Sequence, residues 1–455
     1  MIYLSLLLFL LAFLLFVVYV INGFDYIVPS FFMIGSFMLS ALISLVAADR
    51  WQSIRFNTMI TILLGITAFS IGDFIGSKLN FHIRIQKIKI ALPFFKNKKT
   101  ESLNASIDIS KYLILFVCLF MLVIDFFYFK YIYALSVAAG NTQGYSQMFE
   151  YARRAVVNSR YNAPPMAMWL QHGNIITECL GYIFLYVFIY NIIIAKKVNY
   201  LYLFPCVLYL ANLMTSTARI DVINFVCAII IFYSVLSLKK NKKNLQLKPK
   251  IIAYAVIAIV AILISFRLLG YLTGKSSSRE LWTDISTYGG SSIPALDAYL
   301  NSPKIPNEFF GQETLNRLYA VLRGLHLTNV KSYETTLPFI VFPDGSSTNI
   351  YTGFRRYIQD YGYIGMSFIL LLMGLLYGAI NKAVKKSKNI GVGVIIYAYF
   401  FYPVVMTFVD ERFLISFTSL SMIYHIIYFL IIYRLIVGKS KNVNLIRILS
   451  HMEKK

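Results

Sequence analysis

Long apolar runs recur along almost the whole chain, separated by short polar stretches and by one long one. A run of roughly twenty apolar residues is long enough to cross a bilayer core of about 30 Å as a helix. The pattern predicts helical spans at 1–21, 27–48, 58–79, 112–135, 166–194, 200–215, 221–238, 251–273, 363–381, 390–409 and 414–437, eleven in all. The organisation that follows is eight spans over 1–273, a long polar segment over 274–362, three more spans over 363–437 and a basic tail over 438–455. The expected fold class is an all-α polytopic membrane protein with short helices inside the long polar segment. Within that segment Leu315, Leu318, Tyr319, Leu322 and Leu325 recur at helical spacing, with Arg317 and Arg323 off the apolar stripe. That spacing predicts an amphipathic helix lying on the membrane surface or capping the bundle. Residues 333–349, rich in proline, glycine, serine and threonine, read as loop.

Composition agrees with this reading. The chain is 58% hydrophobic and only 14% charged, with a mean hydropathy of +0.66, whereas a soluble domain carries about a quarter charged residues. Residues 1–21 lack a basic start and no small-residue cleavage site follows, so they read as a span and not as a signal peptide. Cys118, Cys179, Cys206 and Cys227 all fall inside apolar runs and read as small buried hydrophobes. The net charge of +23 does not point to nucleic acid, because the cytoplasmic loops of membrane proteins are basic in any case.

The distribution of that charge adds a direction. Segment 80–111 carries Lys87, Lys89, Lys96, Lys98 and Lys99; segment 239–250 reads KKNKKNLQLKPK; segment 382–389 carries four lysines; the tail is basic. All four fall on one side of the predicted spans, which the positive-inside rule makes cytoplasmic. The amino terminus and segments 49–57, 136–165, 216–220, 274–362 and 410–413 then face outward. Of 27 lysines about 23 lie on the cytoplasmic side, whereas of 16 arginines about 12 lie opposite. Lysine sets the topology and arginine runs against it. The guanidinium fork grips phosphate oxygens in pairs, so the outer arginines point to a phosphorylated substrate; the alternative is solvated loop arginines paired with nearby acids. They cluster as Arg153, Arg154 and Arg160, then Arg219, then Arg279, Arg317 and Arg323, then Arg355 and Arg356. Glu150 stands within a helical turn of Arg153, which admits a local ion pair. The tight turn STARID over 216–221 would hold Arg219 with little freedom at the membrane surface.

Inside the spans Gln171, Asn174 and Glu178 share one helical face, and a carboxylate at that depth needs a cavity or a partner. Asp73 and Asp125 raise the same question. His172 and His425 read as hydrogen-bonded packing residues. The sequence has no Walker A motif, no Asp-x-Asp pair, no HExxH, no His/Cys ligand cluster and no GxSxG elbow. The chemistry expected is therefore metal-free and without cofactor, resting on positioning, arginine electrostatics and one general base.

The stretch SSTNIYTGFRRYIQDYGYIG over 346–365 resembles the Thr-Asn-x-Tyr-Thr…Arg…Asp-Tyr-Gly segment of the Wzy-type O-antigen polymerase (oligosaccharide repeat unit polymerase) family. The segment YGGSSIPALDAYLNS over 288–302 is similar to the family's Gly-Gly…Asp/Asn stretch, and TARID stands where the family often has Gly-Arg, with Ala218 in place of the glycine. An Arg-x10-Gly pattern discussed for the family matches Arg279 and Gly290, a spacing that chance alone supplies about once in this composition. The specific part of the likeness is 348–365. It implies an enzyme that joins undecaprenyl-pyrophosphate-linked oligosaccharide repeats at the outer face of the bacterial inner membrane. A lipid pyrophosphate would be the leaving group, and a separate chain-length regulator the partner. On that reading Arg153, Arg154, Arg160, Arg219, Arg279, Arg355, Arg356 and Tyr351 bind substrate. The base is one of His326, Glu334, Asp360 or Glu178; Asp360 alternatively forms an i,i+4 ion pair with Arg356. An O-antigen ligase and a lipid-linked oligosaccharide flippase remain as alternatives, the first because it shares the long loop and the arginines.

Overall fold

The computed structural model describes residues 1–79, 106–157, 163–216, 219–241, 281–331, 333, 336–387 and 391–438, with backbone only at 219, 220 and 281. The expected span at 251–273 lies outside them. The described chain is mostly helical. The helices in order are α1 (Ile2–Ile21), α2 (Pro29–Val46), α3 (Phe56–Lys78), α4 (Lys111–Ala138), α5 (Met148–Val157), α6 (Met168–Tyr190), α7 (Leu203–Thr215) and α8 (Arg219–Asn241). After the long polar segment begins come α9 (Leu281–Ile285), α10 (Ser292–Leu300), α11 (Asn316–Gly324), α12 (Phe354–Lys386), α13 (Val392–Tyr399), α14 (Tyr402–Met406), α15 (Phe413–Phe417) and α16 (Leu420–Tyr433). Strands β1 (Ile340–Val341) and β2 (Ser347–Thr348) pair antiparallel, Ile340 opposite Thr348, inside the stretch that reads as loop.

Among the described residues eight helices are long and apolar enough to cross a membrane: Ile2–Ile21, Pro29–Val46, Phe56–Lys78, Lys111–Ala138, Met168–Ala195, Asp221–Asn241, Phe354–Lys386 and Leu420–Gly438. Two shorter apolar helices, Tyr200–Thr215 and Val392–Met406, accompany them.

The centre of the bundle is the crossing of α3 and α12, which glycine makes possible. Gly72 and Gly76 on α3 face Gly374 and Gly378 on α12. A methyl group added at Gly72 or Gly76 would strike the carbonyl of Leu371 or Leu375, and one at Gly374 or Gly378 that of Phe69 or Asp73. Small residues four apart on both helices let the backbones touch, which is how helices associate where no water drives them together. Asp73, expected to need a partner, accepts from the Ser30 backbone N–H at 2.8 Å and the Ser30 hydroxyl at 2.5 Å.

The two ends of the bundle differ in chemistry. At one end Lys385 meets Asp25 at 2.7 Å, Lys382 donates to the carbonyls of Lys78 and Leu79, and Lys239 donates to the Ser387 carbonyl. At the opposite end the amino terminus donates to the Ser53 hydroxyl at 3.0 Å, and the segment 281–353 folds over the bundle. There Ser40 and Ser44 of α2 hydrogen-bond to Ser292 and the Gly290 carbonyl. The Asp297 carboxylate accepts from Thr58 and from the Arg55 backbone.

Helix α12 runs on beyond its expected start at 363. Gly362 has φ +68 and breaks the helical path, a left-handed value that glycine adopts without strain. The break separates a short segment, 354–361, from the long apolar part. That short segment carries Arg355, Arg356 and Asp360.

Candidate functional site

The amino end of α12 is held against the turn 410–412 by Gly353. Its N–H donates to the Thr407 carbonyl at 2.7 Å, and a Cβ there would press at 3.1 Å on the Asp410 carbonyl oxygen and the Glu411 nitrogen. Phe354 anchors the next position by stacking on Phe37, ring centres 5.1 Å apart. Arg355 and Arg356, adjacent on one helix, then point about 100° apart and meet two different carboxylates.

Arg355 pairs with Glu313, and its guanidinium carbon lies 4.7 Å from the ring centre of Tyr299 and 4.9 Å from that of Tyr351. Arg356 meets Asp410 through Nε at 2.8 Å and approaches Glu313 to 3.9 Å. Arg412 joins the same cluster at 3.4 Å from Asp410. Three guanidinium groups thus share two carboxylates, and Arg355, Arg356 and Glu313 are all buried. Glu411 closes the cluster: its carboxylate accepts from the Tyr357 hydroxyl at 2.9 Å and from the backbone N–H groups of Leu414 and Ile415.

The electrostatics of these acids diverge. Burial pushes Asp410 up, but Arg356 and Arg412 pull harder, so its carboxyl sits below the ordinary range. Burial wins at Glu313, which lies above that range despite Arg355 and Arg356. Burial carries Glu411 to about 7, against the hydrogen bonds from Ile415, Tyr357 and Leu414. A buried Arg–Glu pair is expensive to desolvate and costly to break from one side, so of the two acids that hold the arginines Glu313 is less at ease as an anion than Asp410.

Segments 288–302 and 346–365 pack together here. Ser291 donates to Thr348 at 3.2 Å, Tyr299 stands edge-on to Tyr351, and the Tyr351 hydroxyl donates to the Pro338 carbonyl at 2.9 Å. Arg50, from the turn after α2, reaches Asp344 at 2.8 Å and also donates to Ser286.

Other candidate residues lie elsewhere. Arg153 and Arg154 sit on α5, a helix packed on α4 around a separate apolar cluster of Met148, Ala152 and Ala155. Glu150 pairs with Arg154, four residues on, in place of Arg153. Asp360 has a different partner set from Arg356: it accepts from Asn307 at 2.7 Å, from the N–H groups of Glu313 and Thr314, and from the Thr314 hydroxyl. It clamps the loop that delivers Glu313. His326 is exposed just past the end of α11 with φ +55, its N–H donating to the Arg323 carbonyl. Glu178 accepts from Tyr209 at 3.0 Å and lies 2.9 Å from His425 Nε2. Arg160, Arg279, Glu334 and the Arg219 side chain lie outside the described residues.

Glu313, Asp410, Glu411, Arg412, Tyr299 and Arg50 were not singled out from the sequence. One signal was available: Asp410, Glu411 and Arg412 are three consecutive charges between two apolar runs, a dense concentration for so short a turn. Comparison with protein families, with curated proteins and with solved structures finds no match for this chain.

Proposed function

We propose that this chain joins lipid-pyrophosphate-linked oligosaccharide repeat units into polysaccharide, with Arg355, Arg356 and Arg412 serving the pyrophosphate of the leaving lipid. The observation that carries the reading is the gathering of those three guanidinium groups around two shared carboxylates at the end of the bundle away from the lysines. An incoming diphosphate offers the same paired oxygen acceptors as a carboxylate, with more charge. Glu313, held above the ordinary carboxylate range, is the partner that gives way. Charge developing on the leaving pyrophosphate is then met by preorganised donors, and loss of one such donor costs about 2.7–4 kcal/mol of transition-state stabilisation. Tyr299 and Tyr351 supply flat apolar faces beside the guanidinium, suited to sugar rings.

In this reading the eight long helices, the two shorter ones and the apolar run 251–273 make eleven spans. The lysine end is cytoplasmic and the arginine end faces the periplasm of a bacterial inner membrane. The likeness of 348–365 to O-antigen polymerases supports joining repeat to repeat over transfer of finished glycan to lipid A core. Deleting the gene and running surface polysaccharide on a gel tests this. A lost polymerase leaves single repeats on the surface carrier, whereas a lost ligase or flippase leaves none. Absence of the single-repeat band contradicts the proposal.

A further inference from the structure

At the lysine end of the bundle a cavity of about 190 Å³ opens between the end of α1, the end of α3 and the last turns of α12. Its wall carries Lys382, Lys385 and Lys386 of α12 against two carboxylates, Asp25 and Asp73. Three ammonium groups against two carboxylates leave the lining net positive, which favours an anion inside. Lys385, its side chain 16% exposed, donates to Asp25 at 2.7 Å and to the Ile27 carbonyl. An ammonium has three hydrogens, so one remains without a partner among the described residues. Lys386 stands exposed at the rim.

The same wall is short of donors. The Asp73 oxygen Oδ2 takes both hydrogen bonds from Ser30, and Oδ1 is buried without a partner among the described residues. Asn381 donates through Nδ2 to the Ile27 carbonyl at 2.8 Å, and its Oδ1 is likewise buried and unpartnered. Both residues are more than nine-tenths buried, where an acceptor without a donor is costly. Both line the cavity, so an occupant can bring the hydrogens they lack.

We infer that this cavity binds a phosphate ester that also carries hydroxyl groups, the negative charge meeting the α12 lysines and the hydroxyls serving Asp73 and Asn381. The site is independent of the polymerase reading. Two sources offer that chemistry, an anionic glycerol headgroup of a lipid and a soluble glycerol phosphate. The surroundings favour the lipid. Lining residues Asn22 and Ser77 have exposed apolar neighbours along the chain, Ile21 and Phe24 beside the first and Phe74 and Ile75 before the second. Acyl chains have a use for such surface and a free phosphate has none. Basic pockets between spanning helices are suited to anionic headgroups for the same reasons.

The test uses the full chain, purified in detergent and stripped of lipid, with bound lipid counted by native mass spectrometry. Phosphatidylglycerol is expected to fill a saturable site. It should bind more tightly than phosphatidylethanol, which keeps the phosphodiester charge but has no hydroxyl, and more tightly still than zwitterionic phosphatidylcholine. Lys386→Gln should weaken phosphatidylglycerol about fivefold, the share of one lysine at a membrane surface. Ser77→Trp, which fills the cavity without changing its charge, should remove the saturable site; if that variant does not fold, Lys386→Gln at the exposed rim still decides. Lys111→Gln, an exposed lysine outside the cavity, should bind as the wild type does. sn-Glycerol 3-phosphate separates the sources. No displacement of the lipid assigns the cavity to a headgroup, and displacement at equal concentration assigns it to a soluble phosphate ester. Equal binding of phosphatidylglycerol and phosphatidylcholine overturns the site, as does a loss in Lys111→Gln equal to that in Lys386→Gln. Equal binding of phosphatidylglycerol and phosphatidylethanol overturns the role given to Asp73 and Asn381.

Discussion

Arg356 Nε lies 2.8 Å from Asp410 Oδ1, and this contact fastens the start of α12 to the turn between α14 and α15. Both side chains are largely withdrawn from solvent, 5% and 18% exposed, so neither finds water in compensation when the other is removed. Arg356→Ala should lower stability by about 3–5 kcal/mol, the range for stranding one partner of a buried pair. Asp410→Ala should cost less on the Arg356→Ala background than on the wild type. Thermal unfolding of the four proteins of this double-mutant cycle in detergent checks the coupling.

Glu411 predicts a pH dependence. Burial raises its carboxyl to about 7 from a usual value of 4.5. Between those two values the folded protein binds a proton that the unfolded chain has released. Stability contributed by this group is present at acid pH and falls as pH rises through about 7, by up to about 1.4 kcal/mol per pH unit. Melting curves from pH 5 to pH 8 should slope downward in the wild type and less so in Glu411→Gln.

The glycine crossing is equally exposed to test. Gly374→Leu drives a side chain into the Phe69 carbonyl, and overpacking of this kind costs about 1–3 kcal/mol or more. Cysteines placed on the facing sides of α3 and α12 should cross-link in the wild-type background and fail to do so with Gly374→Leu.

Asp360→Ala frees the loop donors Asn307, Glu313 and Thr314 from one carboxylate. Limited proteolysis should then cut within 305–331 faster than in the wild type. Chain joining should fall as well, because Glu313 reaches Arg355 from that loop. A variant with faster cleavage but normal joining would separate the clamp from the site.

The apolar helices were legible in the sequence because about twenty apolar residues in a row have few other uses. The contact of Arg355 with Tyr351 was within reach of the sequence too, since the two lie four residues apart. The acids that bind Arg355 and Arg356 were not. Glu313 is 42 positions from Arg355 and Asp410 is 54 from Arg356, and no local pattern links segments brought together only by packing. Glu178 illustrates the same limit. Its depth in a span called for a partner, but that partner, His425, lies 247 residues away. Asp360 was misleading for the opposite reason: the nearby Arg356 offered a simple helical pairing, while the folded loop offered four better donors.

The most direct measurement of the central claim is chain joining by the purified protein in liposomes supplied with lipid-pyrophosphate-linked oligosaccharide, followed on a gel. The wild type should give a ladder. Arg355→Lys and Arg356→Lys, which keep the charge but lose the planar fork, should give little or none. No ladder from the wild type, or an undiminished ladder from both lysine variants, would contradict the role proposed for the arginines.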